Sequence, residues 1–224
     1  MDAFWNQLKG KLTVSCQALP DEPLHSPFIM GRMARAAAEG GAAGIRAQSV
    51  ADIEEIRRVV DLPIFGLIKQ PYDDSPIYIT PTHREVDALL AAPCEVIAID
   101  MTDRPRPEGE QTKDLVDRVH AGGKFVLADI STYEEGIAAE KLGADAISTT
   151  MAGYTEESEK HDGPDFGLIA RLVHDASIPV FAEGRINTPE DLHLAMELGA
   201  FGAIVGSAIT RPQLITARFV RALG

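Results

Sequence analysis

Gly199-Ala200-Phe201-Gly202-Ala203-Ile204-Val205-Gly206-Ser207 reads as a helix terminator, a buried strand and a glycine loop, and its first half recurs as Gly41-Ala42-Ala43-Gly44-Ile45 and Gly143-Ala144-Asp145-Ala146-Ile147. Glycine at a helix end supplies a left-handed cap, and the short apolar run behind it has the length of a buried strand. Leu62-Pro63-Ile64-Phe65 is echoed by Ile178-Pro179-Val180-Phe181. The second and third strand units therefore resemble the sixth and seventh, as in a duplicated half-barrel.

Outward from these repeats, the spacing predicts eight strands: Leu12 to Cys16, Ala43 to Arg46, Ile64 to Ile68, Val96 to Ile99, Phe125 to Ala128, Ala146 to Thr149, Val180 to Ala182 and Ala203 to Val205. Between them lie segments with apolar residues three and four apart: Phe28 to Glu39, Val50 to Val60, Thr82 to Ala91, Lys113 to Ala121, Tyr133 to Leu142, Phe166 to Asp175, Pro189 to Leu198 and Pro212 to Ala222. Strand and helix alternate throughout, the pattern of a parallel sheet with crossover helices. The long connections, Gln17 to Pro27, Gln70 to Pro81, Met101 to Glu110 and Thr150 to Asp165, all follow strands. In a (β/α)8 barrel those loops share the C-terminal face, where active sites lie. An open Rossmann-like sheet competes, but no Gly-x-Gly-x-x-Gly follows a strand and no Gly-Lys-Ser/Thr occurs. We therefore expect an α/β chain that is one (β/α)8 TIM barrel of the phosphate-binding type over residues 1–224.

The chain carries 21 Lys plus Arg against 34 Asp plus Glu, a formal charge of −13. Nucleic acid and anionic membrane surfaces would repel it. The longest uncharged stretch, Leu198 to Thr210, has 13 residues, short of the roughly 18 of a membrane span. Met1-Asp2-Ala3-Phe4-Trp5-Asn6 lacks the basic segment and apolar core of a secretory signal. Cys16 and Cys94 lie in apolar surroundings without a Cys-x-x-Cys pair and read as core thiols in a reducing compartment, so a cytoplasmic location is expected.

The first polar residues after the strands are Gln17, Arg46, Lys69, Asp100, Asp129, Ser148 or Thr149, Glu183 and Gly206-Ser207. Nearly every strand thus delivers a hydrogen-bonding or ionisable group to one mouth. The third and seventh strands are half a barrel apart, so Lys69 and Glu183 face each other over roughly 15 Å of backbone separation, room for a substrate carbon between two long side chains. Lys69 can act as a base near neutral pH only if burial and cations such as Arg46 lower its pKa. A structural ion pair from Lys69 to Glu183 or Asp129 is the competing reading. Glu183-Gly184-Arg185 and Gly206-Ser207-Ala208-Ile209-Thr210-Arg211 follow the last two strands, where such barrels bind phosphate on backbone N–H groups and arginines. None of the six histidines stands at a strand end beside a carboxylate, so no metal is expected; His25 and His161 sit in long mouth loops, where solvated or capping roles compete with contact to substrate. The acidic run Glu156-Glu157-Ser158-Glu159 reads as a solvated loop face or a lid.

Taken in order, Ser15-Cys16-Gln17-Ala18-Leu19, Met30-Gly31-Arg32-Met33-Ala34, Gly44-Ile45-Arg46, Ile68-Lys69, Tyr72-Asp73-Asp74-Ser75, Ala128-Asp129-Ile130-Ser131, Glu183-Gly184-Arg185-Ile186-Asn187-Thr188-Pro189 and Gly206-Ser207-Ala208-Ile209-Thr210-Arg211-Pro212 resemble the bacterial N-acetylmannosamine-6-phosphate 2-epimerases. The likeness runs from about residue 8 to the end. It implies a cytoplasmic, cofactor-free and metal-independent isomerase of sialic-acid breakdown, acting on a sugar phosphate as a homo-oligomer, most simply a dimer. The family's catalytic lysine and glutamate match Lys69 and Glu183. Its sugar-binding residues match Gln17, Arg46 and Asp129, with Thr149 beside them, and its phosphate loops match Arg185, Gly206, Ser207 and Arg211. One departure stands out: an arginine often follows the catalytic lysine in that family, and here the position is Gln70. A Schiff-base aldolase, or another isomerase of sugar phosphates, also places a lysine at a strand end and stays open at this point.

Overall fold

The computed structural model describes residues 3–223; residues 1–2 and 224, the ends of the expected 1–224 domain, lie outside it. A short helix α1 (Ala3–Asn6) precedes eight strands that close in sequence order, each parallel to the next and β8 paired with β1. The strands are β1 (Leu12–Cys16), β2 (Gly44–Gln48), β3 (Ile64–Leu67), β4 (Val96–Asp100), β5 (Phe125–Asp129), β6 (Ala146–Ser148), β7 (Val180–Glu183) and β8 (Gly202–Val205). The intervening helices are α2 (Pro27–Glu39), α3 (Val50–Val59), α4 (His83–Ala91), α5 (Thr112–Ala121), α6 (Tyr133–Leu142), α7 (Phe166–Asp175) and α8 (Pro189–Glu197); the one-turn α9 (Ser207–Thr210) and α10 (Pro212–Arg221) follow β8. The expected (β/α)8 barrel is the observed fold. No helix among the described residues is long and apolar enough to cross a membrane.

Side chains alternate across a strand, and a barrel turns that alternation into inside and outside. Ile45, Ile64, Ile97, Val126 and Ile147 face the helices and join their apolar stripes. Phe65, Leu67, Val96, Ala98, Leu127, Ala146, Phe181 and Ile204 fill the interior. Trp5 closes the lower end, its ring 5.4 Å from Phe125 and 6.0 Å from Phe181. Fully burying such a ring stabilises the fold by about 1.5–3 kcal/mol.

The same pleat carries polar side chains inward at the upper end. Arg46 follows Gly44 on the inner face, Asp100 follows Ala98, Asp129 follows Leu127 and Glu183 follows Phe181. These polar residues keep their ladder places, so β4, β5 and β7 run one residue past the ends expected from apolarity alone. Conversely β3 stops at Leu67 and β6 at Ser148, a residue early. Helix starts are fixed chemically: Thr82 with Glu85, Thr132 with Glu135 and Thr188 with Asp191 form reciprocal capping boxes. Gly143 ends α6 at φ 100°, the left-handed cap read from the sequence. Cys16 and Cys94 are buried and unpaired.

Candidate active site

A cavity of about 740 Å³ opens at the C-terminal ends of the strands, lined by Gln17, Arg46, Lys69, Glu183, Arg185, Gly206, Ser207 and Arg211 among others. Eight of the ten residues expected at the site thus meet in one place. The other two, Asp129 and Thr149, lie directly behind it.

Arg46 is the hub. Its guanidinium is 1% exposed, and it grips Asp129 with both terminal nitrogens, Nη1 to Oδ1 at 2.9 Å and Nη2 to Oδ2 at 2.6 Å. The same Nη1 donates to Glu183 Oε2 at 2.9 Å. Burial opposes the guanidinium's charge, but Asp129 and Glu183 outweigh it and raise the Arg46 pKa. Asp129 is fully enclosed and reaches the cavity only through Arg46 and Thr150.

Glu183 is held by one oxygen. Ser148 Oγ donates to Oε2 at 2.8 Å, and the Thr150 hydroxyl lies 2.8 Å from Oε2 and 2.6 Å from Asp129 Oδ1. Oε1 has no protein hydrogen bond among the described residues and is left for a ligand. Burial raises the Glu183 pKa, helped by Asp129 and opposed by Arg46 and the two hydroxyls.

Thr149 corrects the strand-end reading. It is 1% exposed and turned away from the cavity, its Oγ1 donating to Glu183 O at 2.8 Å and accepting from Glu183 N–H at 3.0 Å. Alternation makes Thr150, two places after inward-facing Ser148, the side chain that lines the mouth. Strand period alone would have found it.

Lys69 has no ion pair and no side-chain hydrogen bond among the described residues, while Arg46 takes both oxygens of Asp129 and Oε2 of Glu183. The structural ion pair weighed from sequence is therefore absent. Burial, then Arg46 and Arg211, lower the Lys69 pKa to about 8 against the smaller opposing pull of Glu183 and Glu22. The ammonium is bound weakly enough to lose its proton near neutral pH.

Across the mouth, β8 ends at Gly206 and α9 begins at Ser207. The first N–H groups of a helix have no acceptor within it and face outward. Arg211 leans over this turn, Nη1 3.3 Å from Ser207 Oγ, and is steadied by Glu22, with Nε 2.9 Å from Glu22 Oε1. Arg185 is held differently. Nη1 donates to Ala152 O at 2.6 Å and Nη2 to Gly153 O at 2.8 Å, while the guanidinium stacks 4.1 Å from the Tyr154 ring. Gly153 stands at φ 74°, and a Cβ there would lie 2.4 Å from Arg185 Nη1, so a side chain would strain the turn and displace the guanidinium. Arg185 thus lends positive charge while its fork fastens the loop after β6.

Gln17 lines the cavity with its Oε1 buried and unbonded, while Nε2 donates to Ser15 Oγ at 2.9 Å. His25 and His161 do not line the cavity; His25 Nδ1 lies 3.1 Å from Ala18 O, and His161 is 3.6 Å from Asp165. Gln70 binds the neighbouring Pro71 carbonyl at 3.1 Å and faces outward. Glu156, Glu157 and Glu159 are exposed, while Ser158 Oγ accepts from Gly153 N–H at 2.8 Å. Tyr78, Met151 and Tyr154 also line the mouth and were not among the expected site residues; they stand inside the long loops after β3 and β6, beyond the first polar positions at the strand ends.

Known proteins resemble this chain over nearly its whole length. A family model described as "Putative N-acetylmannosamine-6-phosphate epimerase" matches residues 30–224. A Clostridium perfringens protein named "Putative N-acetylmannosamine-6-phosphate 2-epimerase" is 63% identical over 95% of this chain and 96% of its own length. One of the same name from Clostridioides difficile strain 630 is 58% identical, covering 97% and 98%. The solved N-acetylmannosamine-6-phosphate 2-epimerase of Clostridium perfringens superposes with a TM-score of 0.97 at 60% identity, over 99% of this chain and 96% of that one. With its family model spanning nearly the whole barrel and its relatives aligned end to end, the chain belongs to the N-acetylmannosamine-6-phosphate epimerase family.

Proposed function

We propose that this chain interconverts N-acetylmannosamine 6-phosphate and N-acetylglucosamine 6-phosphate by removing and returning the proton on carbon 2. The observation that carries the reading is Lys69: an amine without an ion pair, its pKa brought down to about 8, in a cavity shared with the free Oε1 of Glu183 and the Gly206–Arg211 turn.

The substrate's chemistry fits those groups. The 6-phosphate takes the outward N–H groups at Ser207, the Arg211 guanidinium and the charge of Arg185. A sugar hydroxyl donates to the orphaned Gln17 Oε1. Once the ring opens, carbon 2 lies next to an aldehyde. Neutral Lys69 takes the carbon 2 proton, the C–H electrons move into the carbon 1–carbon 2 bond, and the aldehyde π electrons settle on oxygen as an enolate. Return of a proton to the opposite face inverts the centre and restores the aldehyde. Glu183, with its raised pKa, handles the proton at the ring oxygen or the opposite face, and Arg46 supplies fixed positive charge nearby.

Base, acid and positive charge are all side chains of this chain, so the reaction as drawn needs neither metal nor cofactor. Its setting is sialic-acid breakdown in the cytoplasm. Exposed Leu214, Phe219, Val220 and Leu223, on and just after a helix with no buried residue, support a homodimer. Enzyme stripped with a chelator is expected to turn over N-acetylmannosamine 6-phosphate at an undiminished rate; loss of turnover restored by a divalent ion contradicts the metal-free reading.

A further inference from the structure

One wall of the mouth plays no part in the proton chemistry. After β3 the chain makes an excursion over residues 70–81 that folds back on itself. Gln70 N–H donates to Tyr78 O at 2.9 Å, Thr80 N–H donates to Ile68 O at 2.7 Å, and Lys69 pairs with Ile79 in an antiparallel bridge. Thr80 closes the return at φ 44°, a left-handed conformation that a β-branched residue adopts only under constraint. Its Oγ1 accepts from Ile68 N–H at 3.3 Å. The excursion carries Tyr78 across the ends of β4 and β5 until its hydroxyl stands 3.9 Å from Met151 Sδ in the loop after β6. In the closed order of strands, β4 and β5 lie opposite β8 and β1. This wall therefore faces the Gly206–Arg211 turn from the far side of the cavity.

The wall combines one donor with a small apolar surface. Among the described residues the Tyr78 hydroxyl has no oxygen or nitrogen partner, only the thioether of Met151. Burial, then Asp100 and Asp129, raise its pKa, so it remains a protonated donor. Ile79 and Met151 beside it are almost fully enclosed yet line the cavity. A phenol hydroxyl next to two apolar side chains is complementary to a short acyl amide, which offers a carbonyl oxygen and a methyl group.

We propose that Tyr78, Ile79 and Met151 form the subsite that recognises the N-acyl group on carbon 2 and sets how long that group can be. The inference rests on the function proposed above: with the phosphate at the β8 turn and carbon 2 at Lys69, the nitrogen substituent is carried toward this wall. Tyr78 Oη donates to the amide carbonyl, Ile79 bounds the methyl beside Lys69, and Met151 closes the end.

The test measures dissociation constants by calorimetry for wild type, Tyr78→Phe and Met151→Ala. The ligands are N-acetylglucosamine 6-phosphate, its N-butanoyl analogue and glucosamine 6-phosphate, which has no acyl group. Tyr78→Phe, which removes a single oxygen, is expected to weaken the N-acetyl ligand ~10-fold and leave glucosamine 6-phosphate unchanged. Met151→Ala is expected to shift preference from N-acetyl toward N-butanoyl by ~10-fold or more. Should Met151→Ala not fold, Tyr78→Phe carries the test alone. Equal factors for acylated and unacylated ligands, or a Tyr78→Phe protein indistinguishable from wild type, overturn the subsite. Wild-type turnover of N-acetylmannosamine 6-phosphate is measured alongside: its absence overturns the proposed function, whereas turnover with unaltered acyl preference in both variants overturns the acyl subsite alone.

Discussion

Arg46 Nη1 lies 2.9 Å from Glu183 Oε2, and the same guanidinium holds Asp129 from β5 with two hydrogen bonds. One buried cation therefore ties β2, β5 and β7 together and keeps two carboxylates from facing each other unshielded. Arg46→Met removes that cation and leaves both acids buried. Breaking a buried pair in this way costs about 3–5 kcal/mol. Urea unfolding is expected to show that loss, with turnover abolished; a variant of wild-type stability would mean that Arg46 does not organise the mouth.

Lys69 must be neutral to accept a proton, and its folded pKa is about 8. The neutral fraction grows as pH rises through that value, so kcat/KM is expected to climb about fivefold between pH 7 and pH 8 and then level off. A profile falling across that interval would assign the base to another group.

Lys69→Met is expected to abolish turnover and yet stabilise the fold. The Lys69 pKa drops from 10.5 to about 8 on folding, so the folded state pays to keep the ammonium at pH 7. That cost is fully present below about pH 8 and fades as pH rises toward the unfolded value. Removing the charge is expected to add ~1–3 kcal/mol at pH 7 and little near pH 11, read as a pH-dependent difference in Tm. A less stable Lys69→Met protein at pH 7 would contradict the buried, unpaired amine.

The chain's −13 charge argues against an anionic ligand, but the cavity wall holds Arg46, Lys69, Arg185 and Arg211 against a single acid, Glu183. Arg211→Met is expected to raise KM ~10–100-fold with a smaller change in kcat, since it removes binding rather than chemistry. High salt is expected to raise the wild-type KM and to affect the variant less, because screening acts on the charge already removed. A wild-type KM indifferent to salt would contradict the locally positive mouth.

Strand ends were legible because inward polarity overrides apolarity: Arg46, Asp129, Lys69 and Glu183 could be read off as the first polar groups after apolar runs. Their partners were not. Nothing in the spacing says that Arg46 takes both acids and leaves Lys69 free, which depends on where β2, β5 and β7 bring three side chains from distant positions. Thr149 and Thr150 are told apart only by the pleat: counted from inward-facing Ser148, position 149 turns outward and position 150 inward, which taking the first polar residue after a strand does not register. Arg185 carries a left-handed φ of 54° that no composition rule predicts for arginine, and that turn sends its fork to the Ala152 and Gly153 carbonyls. The four-residue α1 is too short to show periodicity, so the Trp5 plug was invisible although Trp5 itself was plain.

The most direct measurement incubates the chain with N-acetylmannosamine 6-phosphate in deuterated water and follows the sugar by proton NMR. Growth of N-acetylglucosamine 6-phosphate with deuterium at carbon 2 is expected, and none with Lys69→Met. A wild-type spectrum that stays that of N-acetylmannosamine 6-phosphate, or product that keeps its original carbon 2 proton in full, would contradict it.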